Sequence, residues 1–362
     1  MMEKKSNIRA LSKAELQEQL LEMGEARFRA EQVYAWLWEK GVADFEEMNN
    51  ISKSLRQQLS NRYTIDKARI QQAYTSKDGT VKYAFELSDG KLVEGVLIPT
   101  PKRLTACVSS QAGCSLSCRF CGTGYLPLLR NLQHYEIYDQ VQLIRREAEA
   151  RFGRSLTNIV YMGMGEPLLN YRNVLQSIEM ITSPEGLGMS PRRITVSTAG
   201  IAKMIKRLAD DEVKFEFALS LHAANDEKRS KIMPINAHNS LAALEEALRY
   251  FYEKTHSRVT YEYCIFRDVN DSLEDARELA EFCRIIPCKV NVIEYNAVEE
   301  AGFTNTSPAR MRAFIDYLES RGIIVNVRRS RGKDIDGACG QLALRQQKYA
   351  RSKNGGAHEL AK

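Results

Sequence analysis

From residue 104 onward the chain alternates short apolar runs with amphipathic stretches in a regular beat. Strand patterns fall at 104–109, 158–162, 193–197, 215–221, 259–266, 290–295 and 323–327. Helical spacing fills the intervals, for example over 137–151, 241–254, 273–283 and 309–321. Such alternation gives a parallel sheet with both faces covered. About six units of this kind specify an α/β fold, a partial (β/α)6 TIM-like barrel over 105–345. Enzymes on barrels place their sites at the C-terminal ends of the strands.

Two shorter segments precede the barrel. Residues 1–63 read as a helical accessory domain, with a capping-box signature at Ser12 and Glu15. A second helix carries Phe28, Val33, Trp36 and Leu37, and a third begins near Ser52. Residues 64–104 read as a strand-rich connector, with a hairpin turn at Asp89-Gly90. Residues 346–362 are polar and Gly-containing and read as a flexible tail. The formal charge of +6 leans towards a polyanionic partner. No apolar run approaches the roughly eighteen residues of a membrane span, so no membrane partner is expected. The first residues are too charged for a secretory signal. Eight cysteines in such a chain then argue for reduced thiols in a cytoplasmic protein.

Three of those cysteines, Cys114, Cys118 and Cys121, are spaced C-x3-C-x2-C within one short stretch. Thiolates select zinc or iron–sulfur clusters. A structural zinc site wants four protein ligands, and so does an ordinary cubane. Three thiolates on a cubane leave one iron open for a substrate. A zinc set completed from elsewhere, or three unconnected loop cysteines, is the plainer alternative. The spacing, with Phe120 before the last cysteine, resembles the radical S-adenosylmethionine (SAM) enzymes. In that superfamily the open iron of a [4Fe-4S] cluster chelates SAM.

Other polar residues sit where strands open into loops. Gly165 and Glu166 lie in MGMGEP, where glycine allows close backbone approach and a carboxylate can accept from an ammonium. Ser197, Ser220, His222 and Asn296 end later strands, suited to hydrogen-bonding a ribose, an adenine edge or a carboxylate, or equally to capping a turn. His222 reads equally well as a satisfied core histidine. Glu94 sits inside the apolar run KLVEGVLIP. Such residues most often face solvent; the alternative is a partly buried proton acceptor. Cys339, between glycines in DIDGACGQL, is a mobile nucleophile or an inert thiol. Cys107 is a buried small hydrophobe or a second site thiol. Cys264, Cys283 and Cys288 read as core. The run 328–333 is basic enough to grip phosphates.

Taken together, CVSSQAGCSLSCRFCGTG, Arg130-Asn131-Leu132, MGMGEP, VSTAG, SLHA and DIDGACGQL resemble the RlmN/Cfr family of RNA adenine methyltransferases over nearly the whole chain. One departure is visible: residues 125–129 are richer in leucine than the family's version, which bears on loop shape only. The resemblance implies a cluster on Cys114, Cys118 and Cys121. It implies SAM contacts at Gly165, Glu166, Ser197, Ser220, Leu221, His222 and Asn296. Cys339 becomes a methyl carrier, Cys107 its resolving thiol and Glu94 a proton acceptor. One SAM methylates Cys339 and a second is cleaved to a radical that activates the methyl group. The carbon then joins the adenine ring, and a Cys107–Cys339 disulfide closes the cycle. The expected target is C2 of an adenine in 23S ribosomal RNA, with tRNA as a second substrate; C8 is the Cfr-type alternative. An electron donor such as a flavodoxin-type reductant is implied. A radical SAM enzyme acting on a small molecule or peptide, and a zinc-stabilised RNA-binding module, are the readings from other classes.

Overall fold

The computed structural model describes residues 5–342. The tail at 346–362 and the last residues of the barrel range lie outside the described residues. Near the N-terminus, helix α1 (Lys13–Glu22) starts on the capping box read from the sequence. Ser12 Oγ accepts from the Glu15 amide at 3.2 Å, and the Glu15 carboxylate accepts from the Ser12 amide at 2.7 Å. Helix α2 (Phe28–Ala35) runs into a π-helical turn at Trp36–Lys40, and α3 (Lys53–Arg62) is capped by Ser52. These helices are joined to the rest of the molecule by Arg9. Its buried guanidinium makes two hydrogen bonds of 2.8 and 2.7 Å to Asp139 and stacks 4.7 Å from the Trp38 ring. A bidentate charge pair of this kind fixes geometry as well as contributing energy.

Ten strands form one sheet: β1 (Arg69–Thr75), β2 (Val81–Glu86), β3 (Leu92–Pro99), β4 (Leu104–Cys107), β5 (Asn158–Tyr161), β6 (Ile194–Thr198), β7 (Glu216–Ser220), β8 (Val259–Ile265), β9 (Cys288–Glu294) and β10 (Val325–Arg328). Their spatial order follows the chain order. Strands β4 to β10 are parallel; β1 to β3 add antiparallel at one side, through the Asp89-Gly90 turn. The segment read as a connector thus pairs edge to edge with the first barrel strand. Six crossovers join the parallel strands. They carry α4 (His134–Phe152), α5 (Tyr171–Thr182), α6 (Ala202–Asp210), α7 (Asp226–Ile232) with α8 (Leu241–Thr255), α9 (Leu273–Phe282) and α10 (Pro308–Ser320). Among the described residues no strand pairs with the outer edge of β1 or β10, so the barrel is partial.

The helix-facing side of the sheet is apolar, with Ile159, Val196, Phe217, Tyr261 and Val292 fully buried. The inner side is not. Register aligns Ser220, Glu262, Asn291 and Asn326 in one row across four strands. Asn291 Nδ2 donates to Glu262 at 2.7 Å, and Asn326 Nδ2 to Asn291 at 3.2 Å. Closed barrels fill this space with branched apolar side chains. Here a polar floor lies beneath an open cavity. Among the described residues no helix is long and apolar enough to cross a membrane.

Candidate active site

A cavity of about 1070 Å³, including its mouth, opens at the C-terminal ends of the parallel strands. Cys114, Cys118 and Cys121 line it, with Gly165, Glu166, Ser197, Ser220, His222, Asn296 and Cys339. Cys107, Glu94 and Leu221 are not among its lining residues. Leu221 is wholly buried, and its backbone N–H donates to the Glu262 carbonyl at 3.0 Å.

The three closely spaced cysteines sit on the loop after β4. Burial raises the thiol pKa of each, that of Cys114 to about 11. For Cys118 the neighbouring Cys121 and Cys114 push further in the same direction, while the Arg229 guanidinium opposes them. Thiols so placed need a bound cationic centre to hold them ionised. Cys114, Cys118 and Cys121 all line the one cavity, and a cluster meets its thiolates at separate irons.

Glu166 is held before it meets any ligand. Its carboxylate accepts from the Ala199 amide at 2.8 Å and the Leu168 amide at 3.0 Å, and burial raises its pKa. Gly165, at φ +91°, meets a constraint beyond the one the sequence suggested. A Cβ there would stand 2.4 Å from the Gln111 side chain. Gln111 in turn accepts from the Glu166 amide at 2.7 Å. The glycine therefore lets the cluster loop approach the Glu166 turn. Ser197 and Ser220 face each other on adjacent strands, Oγ to Oγ 3.2 Å. Asn296 donates to the Cys339 carbonyl at 3.3 Å, while its buried Oδ1 has no hydrogen-bond partner among the described residues. An orphaned buried acceptor on a cavity wall suits a ligand donor such as an adenine amino group. His222 combines both of its readings. Its Nδ1 accepts from the Cys264 amide at 2.9 Å, burial lowers its pKa to about 3, and its ring still lines the cavity, edge-on to Phe120 at 4.7 Å.

The loop after β10 brings Cys339 to the cluster loop. The Gly122 amide donates to the Gly340 carbonyl at 2.5 Å, and Thr123 Oγ1 to the Leu342 carbonyl at 3.3 Å. Cys339 is open to solvent through the cavity, yet protein around its sulfur raises the thiol pKa. Cys107, on β4, is pushed up to about 12 by burial and then by the Cys339 charge. Both are free cysteines in this structure. The base of the loop is clipped by the turn between β1 and β2. Ser76 Oγ donates to Asp334 at 2.5 Å, the Lys77 amide to the same carboxylate at 3.2 Å, and the Gly332 amide to Asp78 at 3.0 Å.

Glu94 departs from the commoner expectation for a strand carboxylate. It is 1 % exposed and pairs with an equally buried Lys82 at 3.4 Å. Register places Lys82 and Cys107 opposite Val96, on the same face as Glu94. Arg328 also differs from its reading within a phosphate-gripping run. It turns into the barrel and pairs with Glu262 at 3.0 Å, where its charge acts on both Cys107 and Cys339. Arg329 beside it remains exposed. Glu262, Lys82, Gln111 and Arg229 were not singled out from the sequence. Strand alternation was the one signal available for Glu262 and Lys82.

Comparisons with known proteins agree with this geometry. Residues 6–65 match the family described as "Ribosomal RNA large subunit methyltransferase N-terminal domain", and residues 108–283 match "Radical SAM superfamily". The chain is 56 % identical over 345 residues to "Probable dual-specificity RNA methyltransferase RlmN" of Cytophaga hutchinsonii, covering 95 % of this chain and 94 % of the relative. It is 54 % identical to the protein of that name from Flavobacterium psychrophilum, covering 94 % and 99 %. A solved radical SAM methyltransferase from Sphaerobacter thermophilus superposes with a TM-score of 0.87 at 40 % identity, covering 93 % of this chain and 99 % of that one. The chain belongs to the RlmN family of radical SAM RNA methyltransferases.

Proposed function

We propose that this protein methylates C2 of an adenine in 23S ribosomal RNA, and an adenine of tRNA as a second substrate, through a methyl-cysteine on Cys339 with two SAM consumed per turnover. One observation carries the reading: the three closely spaced thiols and the Cys339 loop line the same cavity. Cys114, Cys118 and Cys121 would hold a [4Fe-4S] cluster, and Gly165, Glu166, Ser197, Ser220, Leu221, His222 and Asn296 would hold SAM. When bound, that pair supplies a 5′-deoxyadenosyl radical for chemistry that an electron-poor ring carbon does not otherwise undergo.

The chain's own groups do the rest. Cys339 loses its proton and takes a methyl group on sulfur by displacement. Its S-methyl carbon, once activated, becomes the new ring substituent. Glu94 accepts the ring proton; its place behind the cavity wall requires the Lys82 pair to part or a water to relay. Cys107, once it gives up its proton, attacks Cys339 Sγ. The sulfur–carbon bond breaks, the released ring-bound carbon takes a proton to become the methyl group, and the single electron of the radical adduct passes back to the electron-transfer partner. The resulting disulfide takes two electrons to return to thiols, which fits a reducing cytoplasm and an external donor of the flavodoxin type. An adenine must leave its helix or come from a loop to reach the cavity. Exposed Arg329 and the helical domain at 1–63 would contact the RNA backbone.

The test is mass spectrometry of nucleosides from 23S RNA and tRNA incubated with reduced enzyme and SAM. The expected product is 2-methyladenosine. 8-Methyladenosine would assign the Cfr-type reaction instead, and no methylated adenine would overturn the reading.

A further inference from the structure

Arg229 is the most completely buried cation near the cluster loop, with no exposed surface. It lies on α7, and its guanidinium reaches under the strand ends. Nε donates to the Leu221 carbonyl at 3.1 Å. One terminal nitrogen donates to Asn236 Oδ1 at 2.7 Å. The other donates to the Ala199 carbonyl at 2.6 Å and the Ser220 carbonyl at 3.4 Å. All four acceptors are neutral. The Asp226 carboxylate also acts on the guanidinium, through Asn236, whose Nδ2 donates to Asp226 at 2.8 Å; a buried charge held this way is expensive.

Further negative charge would come from the cysteine loop. Cys118 packs against the apolar cluster that holds Ile232 and Met233, at the end of the helix that carries Arg229. Burial lowers the guanidinium pKa only to about 10, so it stays charged at neutral pH. The end of α7 is fastened to the same loop, where the Arg119 amide donates to the Ile232 carbonyl at 3.0 Å. Three thiolates bring more negative charge than a cubane's irons offset, and one-electron reduction adds another unit. A fixed cation in a low-dielectric wall favours the reduced form.

We propose that Arg229 is the electrostatic tuning residue of the cluster: its permanent buried charge raises the midpoint potential and makes the one-electron reduction that SAM cleavage requires accessible. This rests on the cluster reading of Cys114, Cys118 and Cys121. It assigns Arg229 a role apart from bracing the 199–221 loops, because charge and brace can be separated by substitution. Arg229→Lys keeps the charge and loses the fork of hydrogen bonds; Arg229→Gln keeps hydrogen-bonding capacity and loses the charge.

The experiment is an anaerobic redox titration of full-length, iron-loaded protein without SAM, followed by electron paramagnetic resonance. Iron content and thermal melting are recorded in parallel. Arg229→Gln should lower the reduced-to-oxidised ratio at fixed potential at least tenfold, about 59 mV for one electron. Arg229→Lys should stay within about threefold of the unsubstituted protein, about 28 mV on the same scale. If Arg229→Gln does not hold iron, the lysine variant decides alone. An unchanged potential in the glutamine variant, or a lysine variant shifted equally far, overturns the proposal. So does loss of iron from both variants with intact melting, which would leave Arg229 a brace only. Unsubstituted protein that binds no iron would instead sink the cluster reading itself.

Discussion

Glu94 and Lys82 form an ion pair with both side chains withdrawn from water, Oε1 to Nζ 3.4 Å. The separation is that of an ion pair without an aligned hydrogen bond, since Nζ has no hydrogen-bond partner among the described residues. Removing one member withdraws a counter-charge from a buried pair, a loss of about 3–5 kcal/mol. Lys82→Met should therefore lower unfolding stability by about that amount, read from denaturant melts. Replacing both residues by apolar ones should cost less than the two single changes summed. Additive losses would show that the pair does not act as a unit.

Cys118 is the middle ligand of the proposed cluster and the one most crowded by other thiols. Cys118→Ala should lose its iron and the brown colour of anaerobically purified protein, with little change in melting temperature. Retained iron would contradict the ligand set.

The two remaining site thiols should separate the stages of transfer. Cys339→Ala should abolish RNA methylation while reduced protein still cleaves SAM. Cys107→Ala should accumulate a covalent protein–RNA adduct, visible as a slow band after denaturation. Full turnover without an adduct would remove the resolving role.

Gly165 carries a prediction about fit. At φ +91°, with a Cβ position 2.4 Å from Gln111, Gly165→Ala must displace Gln111 and with it the Glu166 amide. Left-handed strain and the clash together should cost about 2–3 kcal/mol. SAM affinity, measured by equilibrium dialysis, should fall as well, because Glu166 moves.

His134 gives the protein an acid-sensitive element away from the site. Burial, with the nearby Arg9 charge, lowers its pKa to about 4 from an ordinary 6.5. The unfolded chain therefore takes up this proton first. The stability it contributes is complete above pH 6.5 and is lost as pH falls from there towards 4. The loss should amount to about 3 kcal/mol over that window. His134→Gln should flatten that part of the stability–pH curve; an unchanged slope would assign the acid sensitivity elsewhere.

The barrel and the cysteine loop were legible because their signals are local. Alternating apolar runs fix a parallel sheet, and C-x3-C-x2-C fixes three thiols within one turn of chain. The serines and Asn296 were legible as strand-end residues. Lys82, Glu262 and the inward turn of Arg328 were not, because a polar residue in a strand ordinarily faces water. Here the inner face of the sheet is itself polar, and pairing across strands far apart in sequence decides which residues lie on it. Gly165 was legible as a glycine at a strand end, but its close neighbour Gln111 was not, because it comes from another loop. Arg229 gave no signal at all, since a seven-residue helix with mixed charge reads as surface.

The clip between Ser76 and Asp334 spans 258 positions of sequence, and it makes the hairpin ahead of the barrel a tether for the loop behind it. A fragment cut before residue 105 would keep every cysteine discussed above, yet it would bare the β4 edge and unfasten the strand of chain that carries Cys339. Lengthening the turn at 76–79 would slacken the same fastening from a distance, freeing the Cys339 loop without touching any residue of the proposed chemistry.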